Sequence, residues 1–121
     1  MVNYRESEEM YLETIYLLAK KSQFVRSVDI CNQLNYSRPS VSRAVGLLQK
    51  RGYILVSSNG KITLTEEGTL KAEHIYERHR VITQVLKDLG ATDEIAEDNA
   101  CRIEHVITFE LFETLKKYLE K

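Results

Sequence analysis

The amino-acid sequence predicts a mainly α-helical protein with one small β-hairpin, in which an N-terminal winged helix-turn-helix is followed by a second, α-helical domain. Three observations favour this fold class. Two short helical patterns joined by a tight turn occupy residues 26–52, two β-rich runs follow over residues 53–64, and helical apolar periodicity returns from residue 65 onward. We therefore expect one domain over residues 1–64 and another over residues 65–121.

Composition favours a small protein of the cytoplasm. Of the 121 residues, 43% are hydrophobic, which is enough to form a core. Cys31 and Cys101 are too few for a disulfide framework, so a reducing compartment is favoured. The sequence has no apolar run long enough to span a membrane, and its N-terminus does not resemble a signal sequence.

The net charge of −1 conceals two halves of opposite sign. Residues 1–64 carry nine Lys and Arg against five Asp and Glu, a net charge of +4, whereas residues 65–121 carry eight against thirteen, a net charge of −5. The sign of the surface that meets phosphate decides whether nucleic acid is attracted. The basic half is therefore the candidate for DNA binding.

The first of the two short helices is predicted to begin at Ser27, a residue type that caps helices by accepting from backbone N–H groups of the first turn. A turn at residues 35–37 leads to the second helix, which has Pro39 at its start, where a missing N–H costs nothing. The predicted buried sides are Val28, Ile30, Cys31 and Leu34 in the first helix, and Val41, Ala44, Val45 and Leu48 in the second.

Two β-rich runs, residues 53–56 and 61–64, flank Asn59-Gly60, the strongest sequence signal for a two-residue hairpin turn. The helical pair alone suits any small α-domain with a solvated face, but a hairpin directly after it indicates a winged helix. The exposed side of its second helix offers Arg for guanine and short hydroxyls for phosphates and base edges. The predicted DNA contacts are Arg26, Ser37, Arg38, Pro39, Ser40, Ser42, Arg43, Lys50, Arg51 and Lys61.

Helical patterns also precede and follow the winged region. We predict helices over residues 7–21, 65–89 and 93–105, and a last helix that begins after Thr108. This last segment is very apolar for the end of a small protein, which favours a subunit interface in a homodimer. The predicted interface residues are Phe109, Phe112, Leu115 and Leu119.

Cys101, Glu104 and His105 are the candidate metal-binding residues. At positions i, i+3 and i+4 of a helix these side chains point the same way, and all three residue types ligate metals. Taken alone, they are explained better by a core cysteine beside a solvated Glu-His pair. The sequence lacks HExxH, CxxC and glycine-rich phosphate motifs, and no nucleophile arrangement can be assembled, so we expect no enzymatic activity.

Several short segments are specific in combination. They are Glu9-Met10-Tyr11-Leu12 with Thr14-Ile15-Tyr16, Ser37-x-Pro39-Ser40-Val41-Ser42, Leu64-Thr65-x-x-Gly68, Arg78-His79-Arg80, and Ala100-Cys101-Arg102-x-Glu104-His105-Val106. In these segments, and over essentially all of its length, the sequence resembles the metal-dependent repressors of the diphtheria toxin repressor and manganese transport regulator type. The resemblance implies a divalent cation that acts as corepressor for operator DNA.

The resemblance also implies a set of metal ligands. Both branches of the family use the residue at His79, and the manganese branch also uses the carboxylate at Glu13. That branch has carboxylates where this chain has Met10 and Cys101. The regulatory site of the iron-responsive branch takes a Met, a Cys, a Glu and a His, which correspond here to Met10, Cys101, Glu104 and His105.

A second site of the iron-responsive branch matches less well, because this chain has Thr83 where that branch has a Glu and Glu97 where it has a His. Glu97 is kept as a candidate ligand, because a carboxylate can also bind a metal ion. The iron-responsive branch also carries a C-terminal SH3-like domain, and we expect none here because the chain stops after the dimerisation-type helix.

Together these features predict a homodimeric, metal-dependent repressor of metal-ion homeostasis that binds double-stranded operator DNA and no membrane or small-molecule substrate. Iron(II) is the expected metal, manganese(II) is the next candidate, and Co, Ni and Zn are expected to substitute in vitro. The alternatives are a manganese-responsive regulator of the same family, a winged-helix regulator with a non-metal effector or one that senses oxidation through Cys101, and a small metalloenzyme.

Overall fold

The computed structural model describes residues 8–120, so the predicted start of the first helix at Ser7 lies outside the described residues. The described elements are α1 (Glu8–Lys21), α2 (Ser27–Leu34), α3 (Arg38–Lys50), β1 (Ile54–Val56), β2 (Ile62–Leu64), α4 (Glu66–Asp88), α5 (Asp93–Ile103) and α6 (Phe109–Leu119). This is the predicted fold class, six helices with one hairpin. None of these helices is long and apolar enough to cross a membrane.

The described chain divides into two compact units, residues 8–73 and residues 74–120, with the boundary inside α4. In the first unit the core is built from α1, α2, α3 and the hairpin. The predicted buried side of α3 is confirmed, but that of α2 is only partly correct, because Val28 is 43% exposed. The most deeply buried apolar residues of this unit are Tyr11, Leu12, Ile15, Val25, Ile30, Val41, Leu48, Ile54, Ile62 and Ala72.

The N-terminus of α2 differs from the prediction that Ser27 is its N-cap. Arg26 is the N-cap residue, and the carboxylate of Asp29 accepts from its backbone N–H at 2.8 Å. This contact is the half of a capping box in which an acidic residue three positions on satisfies the backbone of the cap. The helix ends at Asn35, whose φ of 58° is a left-handed conformation that Asn tolerates.

The predicted hairpin is present, with β1 and β2 paired antiparallel, but its turn is not the two-residue type that Asn59-Gly60 suggests. Ser57 N–H donates to the Lys61 carbonyl oxygen at 2.9 Å, and Gly60 N–H donates to the Ser57 carbonyl oxygen at 2.9 Å. Of Asn59 and Gly60, only Gly60 has a positive φ, at 85°. The connection is therefore a three-residue loop, a turn closed by a left-handed glycine.

The start of α4 is fixed on the winged region by Thr65 and Gly68. Thr65 Oγ1 accepts from Gly68 N–H at 3.0 Å and donates to the Gly52 carbonyl oxygen at 2.6 Å. A Cβ atom at Gly68 would lie 1.9 Å from the Tyr53 carbonyl oxygen, so any other residue there would force the backbone to shift. These contacts explain why the first turns of α4 belong to the unit of residues 8–73.

The second unit contains the rest of α4, followed by α5 and α6. Gly90, with a φ of 109°, follows α4, and Thr92 and Thr108 cap the next two helices by accepting from backbone N–H groups three residues on. The last helical residue of α5 is Ile103, two residues before the predicted end at His105. The buried apolar residues of this unit are Ile75, Ile82, Val85, Ala96, Ala100 and Phe112.

Candidate nucleic-acid interface and candidate metal centre

The exposed side of α3 carries most of the candidate DNA contacts. Ser37 caps the helix by accepting from Ser40 N–H at 3.3 Å, and its hydroxyl donates to the Ser40 hydroxyl at 3.0 Å. Pro39 is the second residue of the helix, where it interrupts no helical hydrogen bond. The predicted contacts that are exposed along α3 and at its ends are Ser37, Arg38, Pro39, Ser42, Arg43, Lys50 and Arg51.

One of these predicted contacts already has an acidic neighbour. Arg51 Nε lies 3.1 Å from Glu8 Oε1 at the start of α1, and the two side chains are 55% and 33% exposed. An exposed ion pair of this kind contributes at most about 1 kcal/mol. A phosphate can therefore replace Glu8 as the partner of Arg51 at little cost.

Two of the predicted DNA contacts, Arg26 and Lys61, lie on neighbouring extended segments. Ile62 N–H donates to the Val25 carbonyl oxygen at 2.7 Å, which ties the segment before α2 to β2 as an antiparallel bridge. The Lys61 ammonium lies 3.6 Å from the centroid of the Phe24 ring. Sequence reasoning missed Phe24. The available signal was that this aromatic residue lies two positions before Arg26, a predicted DNA contact.

His79 of α4 is the centre of the candidate metal cluster. Its Nδ1 donates to Glu104 Oε2 at 2.9 Å, and its Nε2 donates to Glu97 Oε2 at 2.6 Å. The Glu104 side chain is fully buried, whereas the Glu97 side chain is 62% exposed. One imidazole thus joins a buried and an exposed carboxylate, both of which come from α5 or its C-terminal end.

These carboxylates raise the pKa of His79 to about 9. The hydrogen bond to Glu104 is the largest cause, burial of the ring acts in the opposite direction, and the charges of Glu104 and Glu97 add to the increase. His79 is therefore protonated at neutral pH. Because a metal ion binds the neutral imidazole, metal binding at this residue must release a proton.

Glu104 also contacts His105, the second imidazole of the cluster. The distance from His105 Nε2 to Glu104 Oε1 is 3.2 Å, and the side chains are 3% and 0% exposed. Glu104 is the C-cap of α5, and its N–H donates to the Ala100 carbonyl oxygen at 3.0 Å. The end of α5 thus places a buried carboxylate between two imidazoles.

Cys101 does not share this environment. It is exposed, whereas the side chains of Glu104 and His105 are buried, so the three do not present the common side that their spacing predicts. The spacing argument requires one continuous helix, but α5 ends at Ile103, so Glu104 and His105 lie beyond it. A role for Cys101 as a ligand stays a prediction.

Met10 and Glu13 lie one turn apart on α1, in the unit of residues 8–73. They are 9% and 7% exposed. The Met10 carbonyl oxygen accepts from the hydroxyl of Thr14 at 2.9 Å. A buried carboxylate such as that of Glu13 is stabilised by positive charge, so its burial favours a role near a cation.

The donor set of the second unit fits a divalent transition metal ion. Glu97, His79, Glu104 and His105 are joined in series by N···O distances of 2.6, 2.9 and 3.2 Å. Imidazole nitrogens with carboxylate oxygens suit iron, manganese and zinc. Glu97, the least certain ligand from the sequence, is one of the two carboxylates that contact His79.

The predicted interface residues of α6 divide into two groups. Phe109 is 71% exposed, and Leu115 and Leu119 are partly buried. Phe112 is 5% exposed within the single chain. Its assignment to the interface is therefore corrected: Phe112 is a core residue, because the side of α6 on which it lies faces inward.

Family models match both parts of the chain. Residues 4–61 match the N-terminal DNA binding domain of the iron dependent repressor, and residues 65–121 match the iron dependent repressor metal binding and dimerisation domain. These matches agree with the winged helix-turn-helix in the first part and the His-Glu cluster in the second.

Individual relatives agree with the family models. An uncharacterized HTH-type transcriptional regulator of Methanocaldococcus jannaschii is 33% identical over 118 residues, which cover 96% of this chain and 94% of that protein. The diphtheria toxin repressor of Corynebacterium diphtheriae is 32% identical over 116 residues, which cover 95% of this chain but 51% of the repressor. The structure of the manganese regulator SloR matches with a TM-score of 0.81 at 27% identity, covering 94% of this chain and 54% of SloR.

The chain thus spans about half the length of the diphtheria toxin repressor and of SloR, and nearly all of the M. jannaschii regulator. In each case the shared region covers both the winged helix-turn-helix and the helices that carry the His-Glu cluster. The chain belongs to the iron-dependent repressor family of metal-dependent, DNA-binding transcriptional regulators.

Proposed function

We propose that this protein is a repressor that binds operator DNA as a homodimer when it is loaded with a divalent transition metal ion, and that iron(II) is its regulatory metal. The observation that carries the proposal is the presence, in one chain of this family, of an exposed recognition helix and a cluster of two imidazoles and two carboxylates. The first supplies the DNA contacts, and the second supplies the metal ligands.

The proposed DNA contact places α3 in the major groove. Arg38 and Arg43 are exposed and can each donate two hydrogen bonds to the O6 and N7 atoms of a guanine. Ser42, between them on the same exposed side, can reach a phosphate or a base edge. The cations of the wing and of the end of α3 are assigned to phosphates, because phosphate contacts position a protein without reading sequence.

The proposed metal ligands are His79, Glu104 and His105, with Glu97 as an exposed fourth group. The buried Glu104 carboxylate lies between two imidazoles, and a bound ion would supply positive charge that stabilises it. Glu104 orients His79 through the 2.9 Å contact of Oε2 with His79 Nδ1, and its Oε1 lies 3.2 Å from His105 Nε2. The family resemblance adds Met10 and Glu13 of α1, and Cys101 of α5, as further proposed ligands.

This ligand set gives the metal a way to control DNA binding. The proposed ligands come from α1, α4 and α5. An ion that binds side chains of several helices stabilises the arrangements in which those ligands converge. The ion raises the fraction of molecules that can bind DNA, and the size of this increase depends on how much more tightly the ion binds those arrangements than the others.

The proposed dimer contact uses exposed apolar residues of α6. Phe109, Leu111 and Tyr118 are 71%, 47% and 44% exposed, so this short helix leaves three large apolar side chains in water. A second copy of the chain is the proposed occupant, because the matched family domain is a metal binding and dimerisation domain. A dimer would also present two recognition helices to two half-sites of an operator.

Manganese(II) is the second candidate metal, and one observation favours it. The four groups that contact one another, Glu97, His79, Glu104 and His105, offer only oxygen and nitrogen. Iron(II) is favoured over manganese if the sulfur atoms of Met10 and Cys101 also bind, because sulfur ligands penalise manganese. Cys101 is exposed. Whether its sulfur binds the metal ion therefore decides between iron(II) and manganese(II).

The test begins by selecting DNA from a random-sequence pool with the full chain and iron(II) under anaerobic conditions. Affinity for the selected duplex is then measured with the metal and with a chelator. The proposal predicts sequence-selective binding that the chelator abolishes. Equal binding in the two conditions would show a DNA-binding protein without metal control, and no enrichment of any sequence would remove the proposed operator.

A further inference from the structure

We propose that Phe24 is a positioning residue for DNA binding: its ring holds the Lys61 ammonium beside Arg26, so that the two cations together bind the phosphate backbone of DNA. The inference rests on the proposed function and deepens it. It assigns a role to an aromatic residue for which the sequence predicted none.

The segment before α2 behaves as a third strand of the wing. Ile62 N–H donates to the Val25 carbonyl oxygen at 2.7 Å, and Val25 and Ile62 are 1% and 2% exposed. Because successive side chains of an extended segment alternate between faces, the neighbours of these two buried residues lie on the outer face. Phe24 and Arg26 are exposed there, and Lys61 is partly exposed.

The antiparallel bridge also makes Arg26 and Lys61 cross-strand neighbours. The residue after Val25 in one segment lies opposite the residue before Ile62 in the other. Like charges directly opposite each other destabilise a sheet, so this pair is unfavourable unless an anion lies between the two cations. The carboxylate of Asp29 accepts from the backbone N–H of Arg26 at 2.8 Å.

The Phe24 ring fixes the position of the Lys61 ammonium. The Nζ atom lies 3.6 Å from the ring centroid, well inside the range in which the face of an aromatic ring attracts a cation. Two contacts fix the backbone around Phe24. Its carbonyl oxygen accepts from the Ser22 hydroxyl at 3.1 Å, and the next residue, Val25, is bridged to β2. A lysine that is already ordered loses less side-chain entropy when it binds.

A phosphodiester is the anion that this pair fits. The two cations lie in the basic half of the chain, Arg26 directly before α2 and Lys61 directly before β2. The contact would be sequence-independent, since phosphates carry no base information. Phe24 would therefore change affinity for all DNA sequences alike and leave the choice of sequence to α3.

The test uses the metal-loaded full chain and a duplex that the wild-type protein binds, with affinity measured over a range of salt concentrations. Lys61→Ala should reduce the slope of log affinity against log salt by about 0.9, the value of one phosphate contact. Phe24→Leu keeps apolar bulk but removes the ring, and should weaken binding about two- to fivefold. Phe24→Trp should restore it, because an indole binds cations at least as well.

Leu55→Ala is the matched control, since Leu55 is a 61% exposed apolar residue of β1 and should leave affinity unchanged. All variants should unfold at the wild-type temperature. A Phe24→Leu protein that binds as well as wild type or more tightly, or a Lys61→Ala protein with an unchanged salt slope, would overturn the inference and leave the proposed function standing. A wild-type protein that binds no DNA with metal would overturn both.

Discussion

The imidazole of His79 and the buried carboxylate of Glu104 are joined by a contact of 2.9 Å between Nδ1 and Oε2. Glu104 is fully buried, so its charge depends on positive partners inside the protein. A proton on His79 supplies that charge at neutral pH, and a bound metal ion would supply it instead. The same carboxylate therefore serves both the internal ion pair and the proposed metal centre.

The first prediction concerns this carboxylate. Glu104→Gln keeps the shape of the side chain but removes its charge, and we expect metal affinity to fall at least about tenfold. DNA binding should then no longer respond to metal in the range that activates the wild-type protein. Metal titration by calorimetry and a DNA-shift assay measure the two effects.

Glu94→Gln is the matched control for this prediction, because Glu94 is an exposed residue in the first turn of the same helix. It should bind metal and DNA as the wild-type protein does. If Glu104→Gln keeps wild-type metal affinity while Glu94→Gln does too, the cluster around His79 is not the metal centre.

The second prediction concerns the recognition helix. Arg38→Ala and Arg43→Ala should each weaken operator binding without changing thermal unfolding, because both side chains are exposed. An arginine that reads a guanine should cost about 1–3 kcal/mol and relax specificity at one base pair, whereas a phosphate contact should weaken all sequences alike. Arg102→Ala, at an exposed arginine of α5, serves as the control. Unchanged DNA affinity in both α3 variants would refute the assignment of α3.

The third prediction is that the protein dimerises without added metal. Sedimentation at micromolar concentration in a chelating buffer should give a dimer, because the exposed apolar residues of α6 would otherwise remain in water. Phe109→Glu should shift the population to monomer, and Leu55→Glu, at an exposed leucine of the wing, should not. A monomeric wild-type protein under these conditions would mean that α6 is not the interface.

The fourth prediction compares two glycines. Gly68→Ala should destabilise the protein by about 1–3 kcal/mol or more, because its Cβ would meet the Tyr53 carbonyl oxygen at 1.9 Å. Gly46→Ala should be neutral or stabilise by up to about 1 kcal/mol, because a Cβ there meets nothing within 4 Å in the middle of α3. Urea denaturation monitored by circular dichroism gives both values. Equal stability of the two variants would contradict the packing described for the start of α4.

Much of the fold could be predicted because local signals agree with the packing. The apolar spacing of α3 and the capping residues Ser37, Thr92 and Thr108 define helices that begin within one residue of their predicted positions. The N-terminus of α2 was predicted incorrectly, because more than one residue near it can accept hydrogen bonds from backbone N–H groups. Ser27 was expected to cap α2, but the helix begins one residue earlier, with Arg26 as N-cap and Asp29 accepting from its backbone N–H.

The candidate site was less predictable because it depends on distances between helices. Helical spacing grouped Cys101 with Glu104 and His105, but burial separates them, since α5 ends at Ile103 and the helical spacing does not extend to Glu104 and His105. The contact between His79 and Glu97 joins residues 18 positions apart on different helices, for which a single sequence supplies no distance. The family resemblance identified most of the cluster, and the geometry added the hydrogen bonds within it.

The most direct test of the central claim is the affinity of the wild-type protein for its selected DNA as a function of free iron(II) and free manganese(II), measured anaerobically in metal-buffered solutions, with Co, Ni and Zn as further arms. We predict that binding requires a metal ion and reaches its half-maximum at a lower free concentration of iron(II) than of manganese(II). Half-activation by manganese at the lower concentration would contradict the assignment of sulfur ligands. Equal DNA binding with and without metal would contradict the account as a whole.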